Sequence, residues 1–379
     1  MIAVCRPIVL AAALSLSLFG CAAREGAPPA PRATAGVASP IRLGDLPGWR
    51  SDRQSQALVA LTASCGALLR QSDETAVGPA AMAGTVADWR PVCAGLPPAA
   101  ADDAVVRRFL ESRFLAIAIE DADRPAGLFT GYYEPELTAS RHRSARFSVP
   151  LYRRPPDLVD DAPYRTRAEI DSGALAGRHL ELFWLADPLD AFFLQVQGSG
   201  RLRLLEGGTV RVGFAGSNGR PYTAIGRLLV ERGELTKDTV SLQTIRDWLR
   251  AHPAEAGPLM RQNARYVFFK EVHGAGPIGA EGVPLTPGRS LAIDPTLMPL
   301  GVPFWLDTSY PVDTPEAGRP LQRLVVAQDI GAAIKGSVRG DLFWGSGDTA
   351  MRYAGRMKQP GRYFLLLPSA VAERRAGAS

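Results

Sequence analysis

The sequence is poor in the residues that mark metal centres and nucleic-acid interfaces. Only four histidines occur among 379 residues, and none has the short spacing to a second ligand that a zinc site needs. Lysine is equally scarce, and the arginines form no dense block interleaved with aromatic side chains. The net charge of +5 is mild for this length and argues against nucleic-acid binding. We therefore expect no metal, no cofactor and no nucleic-acid partner.

Long apolar runs are also few, and the one of signal-peptide length lies at the N-terminus. Ile8 to Phe19 follows a basic residue, Arg6, and is too short to span a bilayer. No later segment of the sequence is long and apolar enough to do so. This pattern predicts export, with residues 1–20 removed as a signal peptide.

The apolar run ends in Leu-Phe-Gly-Cys, which is similar to a bacterial lipoprotein signal. Cys21 would then carry the lipid, and residues 21–45, rich in alanine, proline and glycine, would form a flexible linker. Ala22 replaces the aspartate linked to inner-membrane retention, which favours a periplasmic protein anchored to the inner leaflet of the outer membrane. The alternative is a simple secretory signal with an incidental cysteine.

Cysteine occurs four times in the whole chain. Cys5 would leave with the signal peptide and Cys21 would carry lipid, which leaves Cys65 and Cys93. In an oxidising periplasm these two most simply form a disulfide. It would close a loop of about 27 residues and stabilise the fold by roughly 3 kcal/mol in the chain-entropy model.

Glycine and proline, with 38 and 31 residues, indicate many turns and favour a mainly β fold with helices. Residues 46–127 are the exception, because apolar residues recur near a 3.6-residue period from Gln54 to Leu69 and from Val105 to Ile119. We expect this helical part to pack on the rest of the fold as structural support.

From residue 128 to 270 the pattern changes to strands with a few helices. Ala191 to Val196 is predicted as a strand that ends in Gln-Val-Gln-Gly-Ser-Gly. A helix is predicted to begin at Arg167, because Thr166 and Glu169 have the spacing of a capping box.

Residues 288–367 contain short apolar segments separated by glycine turns, and residues 368–379 form a tail. Six-strand spacing with one helix, Asp348 to Met357, predicts a small closed barrel.

Three aspartates adjoin the apolar segments of this C-terminal part. Asp329 closely follows Leu324 to Ala327, Asp341 directly precedes Leu342 to Trp344, and Asp294 follows Ala-Ile. Glycines between these segments let the backbones approach closely. The pattern predicts a carboxylate-lined site.

Four sequence motifs occur in one order along the chain. They are Gly-Tyr-Tyr-Glu-Pro at 131–135, Gln-Val-Gln-Gly-Ser-Gly at 195–200, Val-Phe-Phe-Lys at 267–270, and the aspartate series that ends in Gly-Asp-Leu-Phe-Trp-Gly-Ser-Gly. Together they resemble the membrane-bound lytic murein transglycosylase A family over about residues 128–367. The resemblance implies an inserted β domain at 128–270, a three-aspartate double-psi β-barrel at 288–367, and a substrate groove between them.

The resemblance also implies a function. The family cleaves the MurNAc–GlcNAc β-1,4 bond of peptidoglycan and leaves 1,6-anhydromuramic ends. Asp341 matches its single catalytic acid/base, and Asp329 and Asp294 match its two other aspartates, as groove or supporting residues. Peptidoglycan glycan strands are the expected partner, with cell-wall synthesis or hydrolysis proteins as further candidates.

One carboxyl group suffices for such a reaction. An ordinary glycosidase needs two carboxylates. In the lytic reaction the C6 hydroxyl of muramic acid attacks its own C1, so the nucleophile is already held at high effective concentration. Asp341 would protonate the leaving oxygen and then accept the C6 proton, which requires an apolar or anionic setting that raises its pKa.

The substrate-binding candidates each have a structural alternative. Sugar stacking or hydrogen bonding is expected of Tyr132, Tyr133, Gln195, Gln197, Ser199, Lys335 and Trp344. The two glutamines would share one face of a strand by its period of two, or simply face water. One of the adjacent tyrosines should point to the core, Trp344 could pack there, and Lys335 could be solvated.

Two other functions fit the same residues. A glycoside hydrolase on the same barrel would use water as nucleophile, and its products would be heavier than anhydro products by one water. A peptidoglycan-binding lipoprotein without activity would bind sacculi and release nothing.

Overall fold

A computed structural model describes residues 39–121, 126–160, 162–274, 276–311 and 318–377. The predicted signal peptide and the predicted lipid attachment at Cys21 lie outside the described residues. Among the helices of the described ranges, none combines the length and the hydropathy needed to cross a membrane.

The N-terminal part is helical but contributes two strands. Its elements are β1 (Ile41–Arg42), α1 (Leu58–Leu68), α2 (Val86–Ala94), α3 (Asp103–Arg113) and β2 (Phe114–Ala118), with short 3-10 helices at Leu43–Asp45, Trp49–Ser51, Gln54–Ala57 and Pro79–Ala81. The prediction of one helix to Ile119 is therefore wrong in its second half. The run from Phe114 is aromatic and aliphatic, and it pairs as a strand with the C-terminal part of the chain.

The middle of the chain alternates strands and helices. Its elements are β3 (Gly127–Glu134), β4 (Glu136–Ser140), β5 (Val149–Tyr152), α4 (Arg167–Asp171), β6 (Glu181–Leu185), α5 (Pro188–Gln197), β7 (Ser199–Leu204), β8 (Thr209–Ser217), α6 (Ile225–Glu231), α7 (Leu242–Ala251), α8 (Pro253–Arg261) and β9 (Val267–Val272). The predicted capping box is confirmed, because Thr166 and Glu169 exchange hydrogen bonds at the start of α4.

The segment predicted as a strand at Ala191 to Val196 is helix α5, so this prediction is wrong. Asp187 caps the helix by accepting a hydrogen bond from the Leu189 backbone N–H at 2.8 Å, and Pro188 occupies its first turn. Gly198 ends it in the left-handed region at φ +80°. These capping signals outweigh the strand-like composition of the run.

The C-terminal part consists of β10 (Ser290–Ile293), β11 (Pro303–Tyr310), β12 (Arg319–Ile330), β13 (Arg339–Ser346), α9 (Gly347–Ala354), β14 (Lys358–Pro368) and α10 (Ser369–Gly377). Five of these strands form a closed barrel with β3, in the order β14-β11-β12-β10-β13-β3, because β3 pairs back with β14. β1 and β2 extend the sheet from β14. The barrel is therefore completed by a strand that precedes the second sheet in the chain.

The second sheet has the order β5-β6-β4-β7-β8-β9, and α5 to α8 form an apolar helical cluster beside it. The chain leaves the barrel between β3 and β4 and returns between β9 and β10. The first strand of the 128–270 range thus belongs to the barrel, and the rest of that range forms the inserted unit.

The barrel and the N-terminal part share one core. Trp49 packs edge-on against Trp305 of β11, with ring centroids 4.9 Å apart, and Phe129 and Phe304 pack on Tyr363 within the barrel. A disulfide joins Cys65 of α1 to Cys93 of α2.

Candidate active site

Asp341 is the third residue of β13, inside the strand rather than at its end. The pairing of β13 with β3 places it opposite Thr130, whose hydroxyl donates to Asp341 Oδ1 at 2.6 Å. The same threonine oxygen accepts a hydrogen bond from Arg339 Nη2 at 2.8 Å. A threonine hydroxyl has one proton, so Arg339 forces that proton toward Asp341.

The environment of Asp341 suits a carboxylic acid that must hold a proton. Burial raises its pKa to about 6, and the negative charge of Asp329 acts in the same direction. The positive charge of Arg339 and the Thr130 hydrogen bond oppose this rise. The carboxyl group can therefore exchange its proton near neutral pH.

Asp329 lies near the end of β12 and is fixed by three donors. Its Oδ2 accepts from the Tyr132 hydroxyl at 2.8 Å, and its Oδ1 accepts from the backbone N–H groups of Ala280 at 3.0 Å and Ile330 at 2.9 Å. Burial raises its pKa, while these hydrogen bonds oppose that effect. Tyr132, predicted to stack on sugars, holds this carboxylate with its hydroxyl and packs its ring 5.2 Å from that of Phe343.

Asp294 follows β10 and is buried. It accepts hydrogen bonds from the Thr296 hydroxyl at 2.7 Å and the Gly336 N–H at 3.1 Å, and Lys335 Nζ lies 3.6 Å away. Burial alone would raise its pKa, but these contacts hold it below the ordinary value. Lys335, predicted to meet substrate, is mostly exposed and spans back to Asp294.

The predicted binding residues of the inserted unit separate into different environments. Because α5 is a helix, Gln195 and Gln197 do not share a strand face. Gln195 is buried and accepts from Arg167 Nη2 at 2.5 Å, whereas Gln197 Oε1 accepts from the Tyr133 backbone N–H at 3.2 Å. Ser199 begins β7, where it pairs with Gly213.

Tyr133 and Trp344 both pack at the end of the barrel. The Tyr133 side chain is buried against Ala350 and Ala354 of α9, so it is the inward member of the tyrosine pair. The Trp344 indole contacts the rings of Tyr310 and Tyr353, and its N–H points at Met357 Sδ, 3.4 Å away. Both side chains therefore make packing contacts within the protein, and their predicted stacking on sugars stays a prediction.

A cavity of about 320 Å³ lies between the barrel and the inserted unit. Tyr133 and α9 form its barrel side, and Gln197, Tyr222 and residues of α6 and α7 form the other. Burial raises the pKa of Tyr222, and the negative charge of Asp341 acts in the same direction. Its hydroxyl has no hydrogen-bond partner among the described residues, so it is available to a ligand.

Tyr222 was missed in the sequence. The only signal is its position in the polar turn Asn-Gly-Arg-Pro-Tyr-Thr that precedes α6. Over the described part of the chain, no cluster of histidine, cysteine, aspartate and glutamate side chains has the arrangement of a metal site.

Two family models match successive parts of the chain. One, described as the MltA specific insert domain, matches residues 128–270, and the other, described as the 3D domain, matches residues 289–367. The curated membrane-bound lytic murein transglycosylase A of Escherichia coli K12 is 36% identical over 252 residues, which are 65% of this chain and 68% of that protein.

This chain belongs to the membrane-bound lytic murein transglycosylase A family. The predicted family and the predicted fold class are thereby confirmed. As a member, the chain is an enzyme of the lytic transglycosylase class.

Solved structures of family members have the same fold. The membrane-bound lytic murein transglycosylase of Agrobacterium tumefaciens superposes with a TM-score of 0.80 at 34% identity, over 89% of this chain and 99% of that chain. The E. coli MltA structure with bound chitohexaose superposes with a TM-score of 0.66 at 31% identity, over 88% of this chain and 92% of that chain.

Proposed function

We propose that this enzyme cleaves the MurNAc–GlcNAc β-1,4 bond of peptidoglycan and leaves 1,6-anhydromuramic ends, with Asp341 as the single acid/base. The observation that carries the proposal is the setting of Asp341, a carboxyl group with a pKa of about 6 beside a second carboxylate that is already occupied by three donors. A glycan ligand, chitohexaose, bound to the E. coli relative supports a saccharide substrate.

The reaction needs two proton transfers through one carboxyl group. Since Thr130 donates to Oδ1, the acid proton of Asp341 is carried on Oδ2. Oδ2 protonates the glycosidic oxygen as the bond from C1 breaks, and the C6 hydroxyl of the same muramic acid forms the new bond to C1. Asp341, now a carboxylate, takes the C6 hydroxyl proton and is ready for the next cycle.

Asp329 supports this sequence electrostatically. Its donors leave it little freedom to turn and activate a water molecule, as a hydrolase would require. Its negative charge raises the pKa of Asp341 before bond cleavage and stabilises positive charge that develops on the sugar ring. A transglycosylase without an external nucleophile therefore fits the site better than a hydrolase.

The test is to incubate the purified enzyme with sacculi and determine the masses of the soluble products by mass spectrometry. We expect anhydro-muropeptides from the native chain, and a loss of at least about a hundredfold in their rate of release for Asp341→Asn. Asp247→Asn, an exposed carboxylate on α7, is the matched control and should release products normally.

Three other results would reject parts of the proposal. Products heavier by one water would identify a hydrolase. Binding of sacculi without release would identify a binding protein. Unchanged release by Asp341→Asn would remove that residue from the reaction.

The proposal includes a lipid anchor on Cys21, which holds the enzyme to the inner leaflet of the outer membrane. Its support is the Leu-Phe-Gly-Cys sequence after Ile8 to Phe19, together with the name "membrane-bound" that the curated relatives carry. Cys21→Ser should move the protein from the membrane fraction to the soluble fraction. Retention of the variant in the membrane fraction would contradict lipidation at this residue.

A further inference from the structure

A hairpin between the two sheet systems, residues 277–285, contacts the active site. Its own bonds run from the Gly279 N–H to the Val283 carbonyl at 2.9 Å and from the Leu285 N–H to the Pro277 carbonyl at 2.8 Å. Its Ala280 N–H is one of the three donors to Asp329. The orientation of Asp329 therefore depends on where this hairpin lies.

Glu281 attaches the hairpin to the barrel and to α1. Its backbone N–H donates to the Gln328 carbonyl at 3.1 Å, and its carboxylate accepts from the Ser64 hydroxyl at 2.6 Å. The fit is close, because a Cβ on Gly279 would lie 2.3 Å from the Gln328 carbonyl oxygen. Glu281 is the residue directly after the donor to Asp329.

The direction in which the Ser64 hydroxyl donates is fixed by a second contact, with the Gln328 side chain. Ser64 is buried in α1, and its oxygen accepts from Gln328 Nε2 at 2.9 Å. Gln328 Oε1 in turn accepts from the Ser290 hydroxyl at 2.6 Å, and Ser290 accepts from the Thr286 N–H at 2.7 Å. Each donor in this series points onward, so the single proton of Ser64 is directed at Glu281.

This series of hydrogen bonds begins directly after the 277–285 hairpin and ends within it. Thr286 follows its last residue, and Glu281 lies within it. The proposed reaction uses none of these groups directly. Burial nevertheless raises the pKa of Glu281 to about 7, and the Ser64 hydrogen bond and the positive charge of Arg70 oppose this rise.

We infer that Ser64 and Glu281 are positioning residues for the active site, which hold the 277–285 hairpin so that Ala280 fixes Asp329 beside Asp341. This inference rests on the proposed function, since it assigns a supporting role in the same reaction. Both act through the orientation of Asp329 rather than by contact with the substrate.

The consequence can be measured in the pH dependence of activity. Asp341 must be protonated to act, so activity falls as pH rises through its pKa. The charged and titratable groups that face Asp341 are Arg339, Asp329, Tyr132 and Tyr222. If the hairpin loosens, water screens the charge of Asp329 better, and this charge raises the pKa of Asp341 less. The fall of activity with rising pH then begins at a lower pH than in the native enzyme.

The experiment compares kcat/KM against pH for the full-length chain and Ser64→Ala, with sacculi as substrate. We expect the alkaline limb of Ser64→Ala to shift by about half a unit to lower pH. Glu281→Leu should show the same shift. Glu281→Gln keeps an acceptor for the Ser64 hydroxyl and should retain most of the native pH profile. Ser72→Ala, which removes an exposed hydroxyl that bonds to the Thr75 hydroxyl, is the control.

A purely structural role would lower the melting temperature of Ser64→Ala and leave the alkaline limb in place. That result would overturn the inference, while the native enzyme would still release anhydro products. Failure of the native enzyme to release them would instead reject the proposed function.

Discussion

At the scale of single residues, the three aspartates of the C-terminal part differ in how many hydrogen-bond donors contact them. Asp294 has the Thr296 hydroxyl, two backbone N–H groups and Lys335, and Asp329 has two backbone N–H groups and Tyr132. Asp341 has one donor among the described residues, Thr130. An acid that must release and regain a proton needs an oxygen free of fixed donors, and of these three aspartates only Asp341 has one with respect to the described residues.

The Thr130 hydroxyl orients the Asp341 carboxyl group and also affects its pKa. Its hydrogen bond favours the carboxylate and so lowers the pKa of Asp341. In Thr130→Val the pKa should rise, because burial and Asp329 then act with less opposition. The alkaline limb of the activity profile should move to higher pH, while kcat falls about tenfold because the carboxyl group is no longer oriented.

Thr130→Ser is the matched variant, since it retains the hydroxyl that Arg339 orients. It should keep the native limb and most of kcat. A limb that stays in place for Thr130→Val, or moves to lower pH, would contradict the assigned role. The direction is opposite to that expected for Ser64→Ala, so the two effects can be told apart in one set of measurements.

At the scale of elements, the sequence predicts helix or strand well where local signals agree. It predicts them poorly where pairing with a distant strand decides the conformation. The capping box at Thr166 and Glu169 identifies α4 without further information. The run from Phe114 continues an apparent helical period, yet it is a strand because β14 lies beside it. That partner is about 250 residues away in the chain, and no local pattern reports such a pairing.

The same limit applies to the active site. The three aspartates and Tyr132 can be selected from the sequence by their residue types and neighbours. That Thr130 faces Asp341 follows from the register of β3 with β13, which only the closed barrel fixes. Ser64 and Glu281 belong to segments that look purely structural, so their connection to Asp329 could not be predicted.

At the scale of the whole molecule, the inserted unit joins the barrel through two connections, and one arginine binds both. Arg211 of β8 donates from Nε to Glu134 Oε1 at 2.7 Å, at the exit from β3, and from Nη1 to the Gly274 carbonyl at 2.7 Å, on the return. The Glu134 side chain is 2% exposed and that of Arg211 is 19% exposed. This pair therefore links the two chain connections between the barrel and the inserted unit.

Removing one partner of a buried pair leaves an uncompensated charge. Arg211→Leu should lower the free energy of unfolding by about 3 kcal/mol at neutral pH. Burial already raises the pKa of Glu134 in the presence of Arg211, and without it the pKa should rise further. The deficit of Arg211→Leu should therefore shrink as pH falls toward 5 and Glu134 takes up a proton.

The double variant Glu134→Gln/Arg211→Leu separates the effect of the unpaired Glu134 charge from the effect of the lost Arg211 contacts. It should recover much of the lost stability, because the buried group that remains is neutral. Urea unfolding at two pH values measures both effects, and Arg203→Leu on the neighbouring strand β7 is an exposed control. If the single and double variants unfold at the same urea concentration at neutral pH, the loss comes from missing contacts of the arginine rather than from the stranded carboxylate.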